Sequence, residues 1–233
     1  MNNRKISSRI IKELYAKSGN SCAFTNCNEQ LFDNANIGEI CHIQGLNPGS
    51  ARYNPDLSEE EVNSIDNLIL LCSNHHKMID QQEDLFPKER LLKMKKMHED
   101  LICNNIKKRN ERRLFFYELQ KIFQENNFDK YILEQGYDGP FEDSVFMYID
   151  IGCEQIYNLL NTEYAISLSG QEKKEIYTFI QMLGYIIQGI ALNAYPRENG
   201  IVVPKYSPND KKVIMEQLQK LQDEYKKYRF ESV

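Results

Sequence analysis

Residues 66–80 read DNLILLCSNHHKMID, and the reading of this stretch decides the fold. Leu68, Ile69, Leu70 and Leu71 form a run too short and too uniformly apolar for an amphipathic helix, so a buried strand is expected there. Ser73 is a good N-cap residue and starts a helix through His75, His76, Lys77 and Met78. Adjacent residues on a helix point about 100° apart, so His75 and His76 cannot serve one site. Two neighbouring histidines facing different ways imply two centres, one structural and one chemical.

Upstream, IGEICHI from Ile37 to Ile43 alternates as a second strand, with Ile37, Glu39, Cys41 and Ile43 on one face and Ile40 and His42 on the other. Between the strands lies a polar excursion, Gln44 to Asp66, rich in turn formers such as Asn47-Pro48-Gly49-Ser50. Within it, Ser58-Glu59-Glu60-Glu61 has the acidic first turn of a short helix. Further out, Ile6 to Lys17 is a short amphipathic helix stopped by Ser18-Gly19-Asn20. Pro87 opens a helix through Leu91, Leu92, Met94, Met97 and His98.

Six cysteines in a chain whose Met1–Lys5 start leads into an amphipathic pattern, and not into a signal sequence, argue for a cytoplasmic protein and for metal before disulfides. Cys22 and Cys27 bracket a loop, and Cys72 and His75 form a Cys-x-x-His pair at the strand-to-helix junction. Together they make a Cys3His set suited to tetrahedral structural zinc, the alternative being four residues that are merely buried. That leaves His42, Asn67, His76 and Asp80 for chemistry. His76 and Asp80 stand one helical turn apart, able to share a divalent ion or to orient each other. His42, on the neighbouring strand, is either a base that deprotonates water beside a metal-bound phosphate or a hydrogen-bonded core histidine.

Taken together, the order Cys22, Cys27, His42, Asn67, Cys72-x-x-His75-His76 resembles the HNH endonucleases, over roughly residues 6 to 105. The resemblance implies an α+β chain with an N-terminal zinc-stabilised ββα-metal domain. It also implies His42 as general base, His76 as ligand of a catalytic Mg²⁺ or Mn²⁺, and Asn67 as the residue that fixes the loop and orients His42. The departure is Cys41, where many family members carry Asp or a second His as a hard ligand; a thiol suits Mg²⁺ poorly. Asp80 is the favoured substitute, its own alternative being a carboxylate that merely pairs with a nearby Lys or Arg on the surface. Glu39 as the ligand, a softer ion at Cys41, and an ion held weakly until substrate arrives are the alternatives. Arg52, in the loop between His42 and Asn67, is either a residue that pairs a phosphate of the nucleic acid or an ordinary surface arginine.

Past about residue 110 the composition changes. Arg112 to Asn126, Phe141 to Leu160, Gln171 to Asn193 and Asn209 to Phe230 each have helical patterning, which gives domains at 1–108 and 109–233, the second all-α. Pro196 to Pro208 is the longest irregular connection. Ile176 to Tyr195 carries no charge, but its polar residues and glycines fit a buried central helix better than a membrane span. The chain is acidic, at −5 overall and −2 over residues 106–233, while Lys88 to Arg113 holds ten Lys/Arg against four Asp/Glu, which makes either a phosphate-facing strip or a solvated helix face. An acidic nuclease gains little from unspecific attraction to phosphate. The expectation is therefore an endonuclease on double-stranded DNA whose helical half binds a partner or senses a signal. By resemblance it is an effector of bacterial anti-phage defence acting beside a partner such as an ATPase subunit. The alternatives are a non-catalytic zinc-stabilised module that binds nucleic acid or protein, and a stand-alone restriction-type endonuclease.

Overall fold

A computed structural model describes residues 6–45, 47–134, 139–196 and 200–231. Met1–Lys5 and residues 197–199 of the Pro196 to Pro208 connection, on which two expectations rested, lie outside the described residues. The chain divides into two compact units, Met1–Ile106 and Lys107–Val233.

The first unit is organised around a two-stranded antiparallel sheet. Strand β1 (Gly38–His42) pairs with β2 (Leu68–Cys72) in a register that sets Glu39 opposite Leu71 and His42 opposite Leu68. All five residues of β2 are buried, because the strand is covered on both faces. On one flank lies α1 (Ser8–Ser18), which packs Leu14 into the core; its start is capped by Ser7, whose hydroxyl accepts from the Ile10 amide. Gly19 ends it at φ 57°, and a Cβ there would sit 2.9 Å from Ile102 Cδ1, so both backbone and space require glycine. The excursion between the strands contains the short α2 (Glu59–Val62), closed by a capping box between Ser58 and Glu61. Helix α3 (Ser73–Gln81) follows β2 without a break, completing the ββα order. Cys72, not Ser73, holds the extended N-cap conformation, and no side chain caps the helix. The C-terminal end of the strand thus doubles as the helix start.

Helix α4 runs without interruption over Lys88–Glu125, 38 residues, where two separate helices were expected. The segment contains neither Gly nor Pro, so a change of composition near residue 110 brings no change of backbone. The unit boundary falls within it, after Ile106. Its first part buries Leu91 and Met94 in the first core, and His98 Nε2 lies 3.0 Å from the Ser18 carbonyl at the end of α1.

The second unit is mostly helical, but not all-α. Helices α5 (Ser144–Leu159), α6 (Gly170–Leu192) and α7 (Pro208–Lys226) pack with the later part of α4 around an aromatic core that includes Phe115, Phe123, Phe128, Phe179 and Tyr225. A small three-stranded antiparallel sheet accompanies them: β3 (Phe141–Glu142), β4 (Ala194–Pro196) and β5 (Ile201–Pro204), in the order β3-β5-β4. These strands of two to four residues are too short to leave a period in the sequence, and two of them fall in or beside the stretch expected to be irregular. Helix α6 is long and apolar enough to cross a membrane by length and composition. It buries Ile176, Phe179, Leu183, Ile186 and Ile190 along one face, while Tyr177, Tyr185 and Leu192 are exposed, so it is covered on one side and not all round.

Candidate active site

The β2–α3 junction gathers one set of donors. Cys22, Cys27, Cys72 and His75 place their ligand atoms within 4.8 Å of one another. Cys72 Sγ lies 3.1 Å and Cys22 Sγ 3.6 Å from His75 Nδ1, and the Cys72 amide donates to Cys22 Sγ over 3.3 Å. A tetrahedral zinc with bonds of about 2.0–2.3 Å needs donor atoms roughly 3.3–3.8 Å apart, so this set needs only small closure to hold one. The loop is fixed from outside as well. The Ala23 amide donates to the Leu70 carbonyl of β2, a turn at Cys27 closes on Phe24, and the Phe24 ring stacks on His75 at 3.9 Å and 6°. Burial pushes the Cys22 thiol up to about 12, and a bound cation is what would stabilise a thiolate there.

A second arrangement surrounds His76, on another side of α3. His76 Nδ1 is 2.5 Å from Glu39 Oε2 on β1, and Nε2 is 3.1 Å from Asp80 Oδ2 one turn along α3. The expected His76–Asp80 pair is therefore formed, joined by Glu39. The three do not converge on one point, because the two carboxylates flank opposite ring nitrogens. Asp80 is also held by Arg52, whose Nη2 is 2.7 Å from Asp80 Oδ1. The remaining guanidinium donors go to backbone, Nε to the Ile43 carbonyl and Nη1 to the Ile79 carbonyl.

That placement corrects the expectation for Arg52. Its side chain is 7% exposed and its φ is 54°, so it is a buried tie between the loop, β1 and α3, and not a surface cation open to phosphate. Cys41 is buried, with its Sγ donating to the Glu39 carbonyl. Burial first, then the nearby Asp80 and Glu39 carboxylates, push its thiol well above the ordinary range.

Asn67 and His42 lie at the other end of the strand pair. Asn67 is buried; its side-chain amide donates to the Gln44 and Val62 carbonyls, and its Oδ1 accepts from the Gln44 amide, each at 2.9 Å. It thereby clamps the chain two residues beyond His42. His42 is half-buried, with Nε2 3.1 Å from Asn63 Oδ1, and it makes no hydrogen bond to His76 or Asp80. An amide oxygen accepts, so Nε2 is the donor in this contact, and in the neutral ring Nδ1 is then the nitrogen with the lone pair. Asn63 was not anticipated. It sits in the turn-rich excursion with no motif around it, and only the folded loop brings it to His42.

Residues 22–83 match the family model of the HNH endonucleases, a span that contains every residue described in this site. Endonucleases of this family are metal-dependent hydrolases, so the match points to nuclease activity. No curated protein matches the chain.

Proposed function

We propose that the first unit is a metal-dependent endonuclease that hydrolyses phosphodiester bonds in double-stranded DNA. The observation that carries this reading is the division of labour across α3: one histidine in a closed Cys3His set, the next between two carboxylates, within a span matching the HNH family. In this reading Cys22, Cys27, Cys72 and His75 hold zinc and fix the β2–α3 junction. Glu39 and His76 offer the hard oxygen and nitrogen donors for Mg²⁺ or Mn²⁺. The chemistry that an ion held by these residues would supply is positive charge beside the scissile phosphate.

Glu39 is preferred to Asp80 as the carboxylate donor because Arg52 already neutralises Asp80. Asp80 then positions His76 from the far ring nitrogen. His42, with Nε2 donating to Asn63, takes the proton of the attacking water at Nδ1. Asn67 holds the backbone on which His42 stands. An acidic chain with a second, mostly helical unit is compatible with a regulated cytoplasmic effector delivered to DNA by a partner, and the resemblance to HNH effectors of anti-phage systems, some acting beside an ATPase, supports that reading.

The test is cleavage of duplex DNA by zinc-loaded protein with Mg²⁺ or Mn²⁺, after chelation and after re-addition. Glu39→Gln is expected to raise the Mn²⁺ concentration needed for half activity more than Asp80→Asn does. The reverse order would return the ligand role to Asp80. Cleavage that survives without any added divalent ion would remove the mechanism.

A further inference from the structure

The middle of helix α4, from Cys103 to Arg113, carries a charge arrangement that the hydrolytic site does not use. Residues 103–110 are exposed at every position, right round the helix. Within Lys107–Arg113, five of seven residues are basic. Helical spacing sorts them, placing Lys108, Arg109, Arg112 and Arg113 on one arc of about 140° together with Asn105. Lys107 lies on the opposite side, where it pairs with Glu111 at 3.7 Å. Arg112 is already engaged, with Nε 3.1 Å from Glu172 Oε1 and its guanidinium over the Phe116 ring.

Among the described residues, no carboxylate lies within ion-pair distance of Lys108, Arg109 or Arg113. The chain as a whole holds 34 Asp/Glu against 29 Lys/Arg, so a patch of unpaired cations is not a consequence of composition. Like charges one helical turn apart, Lys108 with Arg112 and Arg109 with Arg113, destabilise the isolated helix. An external polyanion relieves that repulsion.

We propose that this face of α4 binds the phosphate backbone of duplex DNA without reading its sequence. The inference rests on the nuclease reading for its choice of polyanion. Duplex DNA offers one charge per about 1.7 Å of axis, so a helical segment roughly 10 Å long meets several phosphates. Arginine forks match phosphate oxygens two at a time. Asn105 lies on the same arc, and an amide there can add a hydrogen bond to a phosphate or sugar.

The experiment measures anisotropy of a labelled duplex with full-length, zinc-loaded protein over a salt series, with no other divalent ion added. Wild type is compared with a triple variant, Lys108→Gln, Arg109→Gln and Arg113→Gln. A control triple, Lys174→Gln, Lys212→Gln and Lys220→Gln, removes the same formal charge elsewhere. Each lost phosphate contact lowers the slope of log affinity against log salt by about 0.9, so the first triple is expected to lose about 2–3 from the slope and the control almost none. Zinc content and melting should match wild type in both.

Equal slopes in wild type and the first triple overturn the proposal, as does an equal loss in the control. Absence of any duplex binding by wild type overturns it too. Polyglutamate binding that the first triple loses while its DNA slope stays unchanged would assign the face to an acidic protein instead. Cleavage is scored separately with Mn²⁺. A wild type that binds with the expected slope but never cuts leaves the contact standing and removes the nuclease reading.

Discussion

The two units bury their cores by different means. The second unit is built on large aromatics: Phe115, Phe123, Phe128, Phe179 and Tyr225 are all fully buried, the last three meet the Phe123 ring, and Tyr225 donates to Asp129 over 2.6 Å. The first unit has one buried strand, β2, and gathers its N-terminal loop through Cys22, Cys27, Cys72 and His75. In the second unit apolar and aromatic side chains close the core among the described residues. Where the core is a single strand and a loop, an ion can take over that task, and the same junction then presents a neighbouring histidine for chemistry. Among the described residues the donor cluster that could hold an ion lies in the first unit, so metal is expected to bear on stability there.

The largest effect should come from cutting that tie. Cys72→Ser is expected to abolish zinc binding and unfold the first unit, since apparent binding energies for structural zinc run to about 10–16 kcal/mol. Calorimetry with metal analysis should show the first unit's transition lost and the second's kept. A single unaltered transition without zinc would break the comparison. Phe123→Ala is the mirror experiment: it should cost about 3–5 kcal/mol in the second unit, with zinc content unchanged. Arg52→Ala should cost about 2–4 kcal/mol in the first unit by denaturant unfolding, because the Ile43 and Ile79 carbonyls and Asp80 lose their donor together. Arg52→Lys should restore little, since an ammonium cannot span three acceptors. Smallest is Cys41→Ala, expected to cost about 1 kcal/mol or less and to leave the Mn²⁺ requirement unchanged. A large shift in metal preference would show that the thiol ligates.

Much of the first unit was legible because its signals are local. The apolar run at Leu68–Leu71, the Cys-x-x-His spacing and the acidic turn after Ser58 each state their structure within a few residues. The relation of His76 to Asp80 was legible for the same reason, through one helical turn. Arg52, Glu39 and Asn63 were harder. Their side-chain partners lie 21 to 37 positions away, and an arginine in a polar loop looks exposed until α3 and Ile43 close over it. In the second unit the helices were readable from period and caps. The little sheet was not, because strands this short draw their identity from pairing with one another. The unbroken α4 escaped for the opposite reason: the composition changes near residue 110, close to the unit boundary after Ile106, although nothing in the backbone chemistry interrupts a helix there.

The most direct measurement is nicking of supercoiled plasmid by zinc-loaded His42→Ala in saturating Mn²⁺, beside wild type and Asn63→Ala. The account predicts a loss of about 10²–10⁴-fold for His42→Ala and a smaller loss for Asn63→Ala, with zinc content and both melting transitions intact. Turnover by His42→Ala within a few-fold of wild type would contradict it.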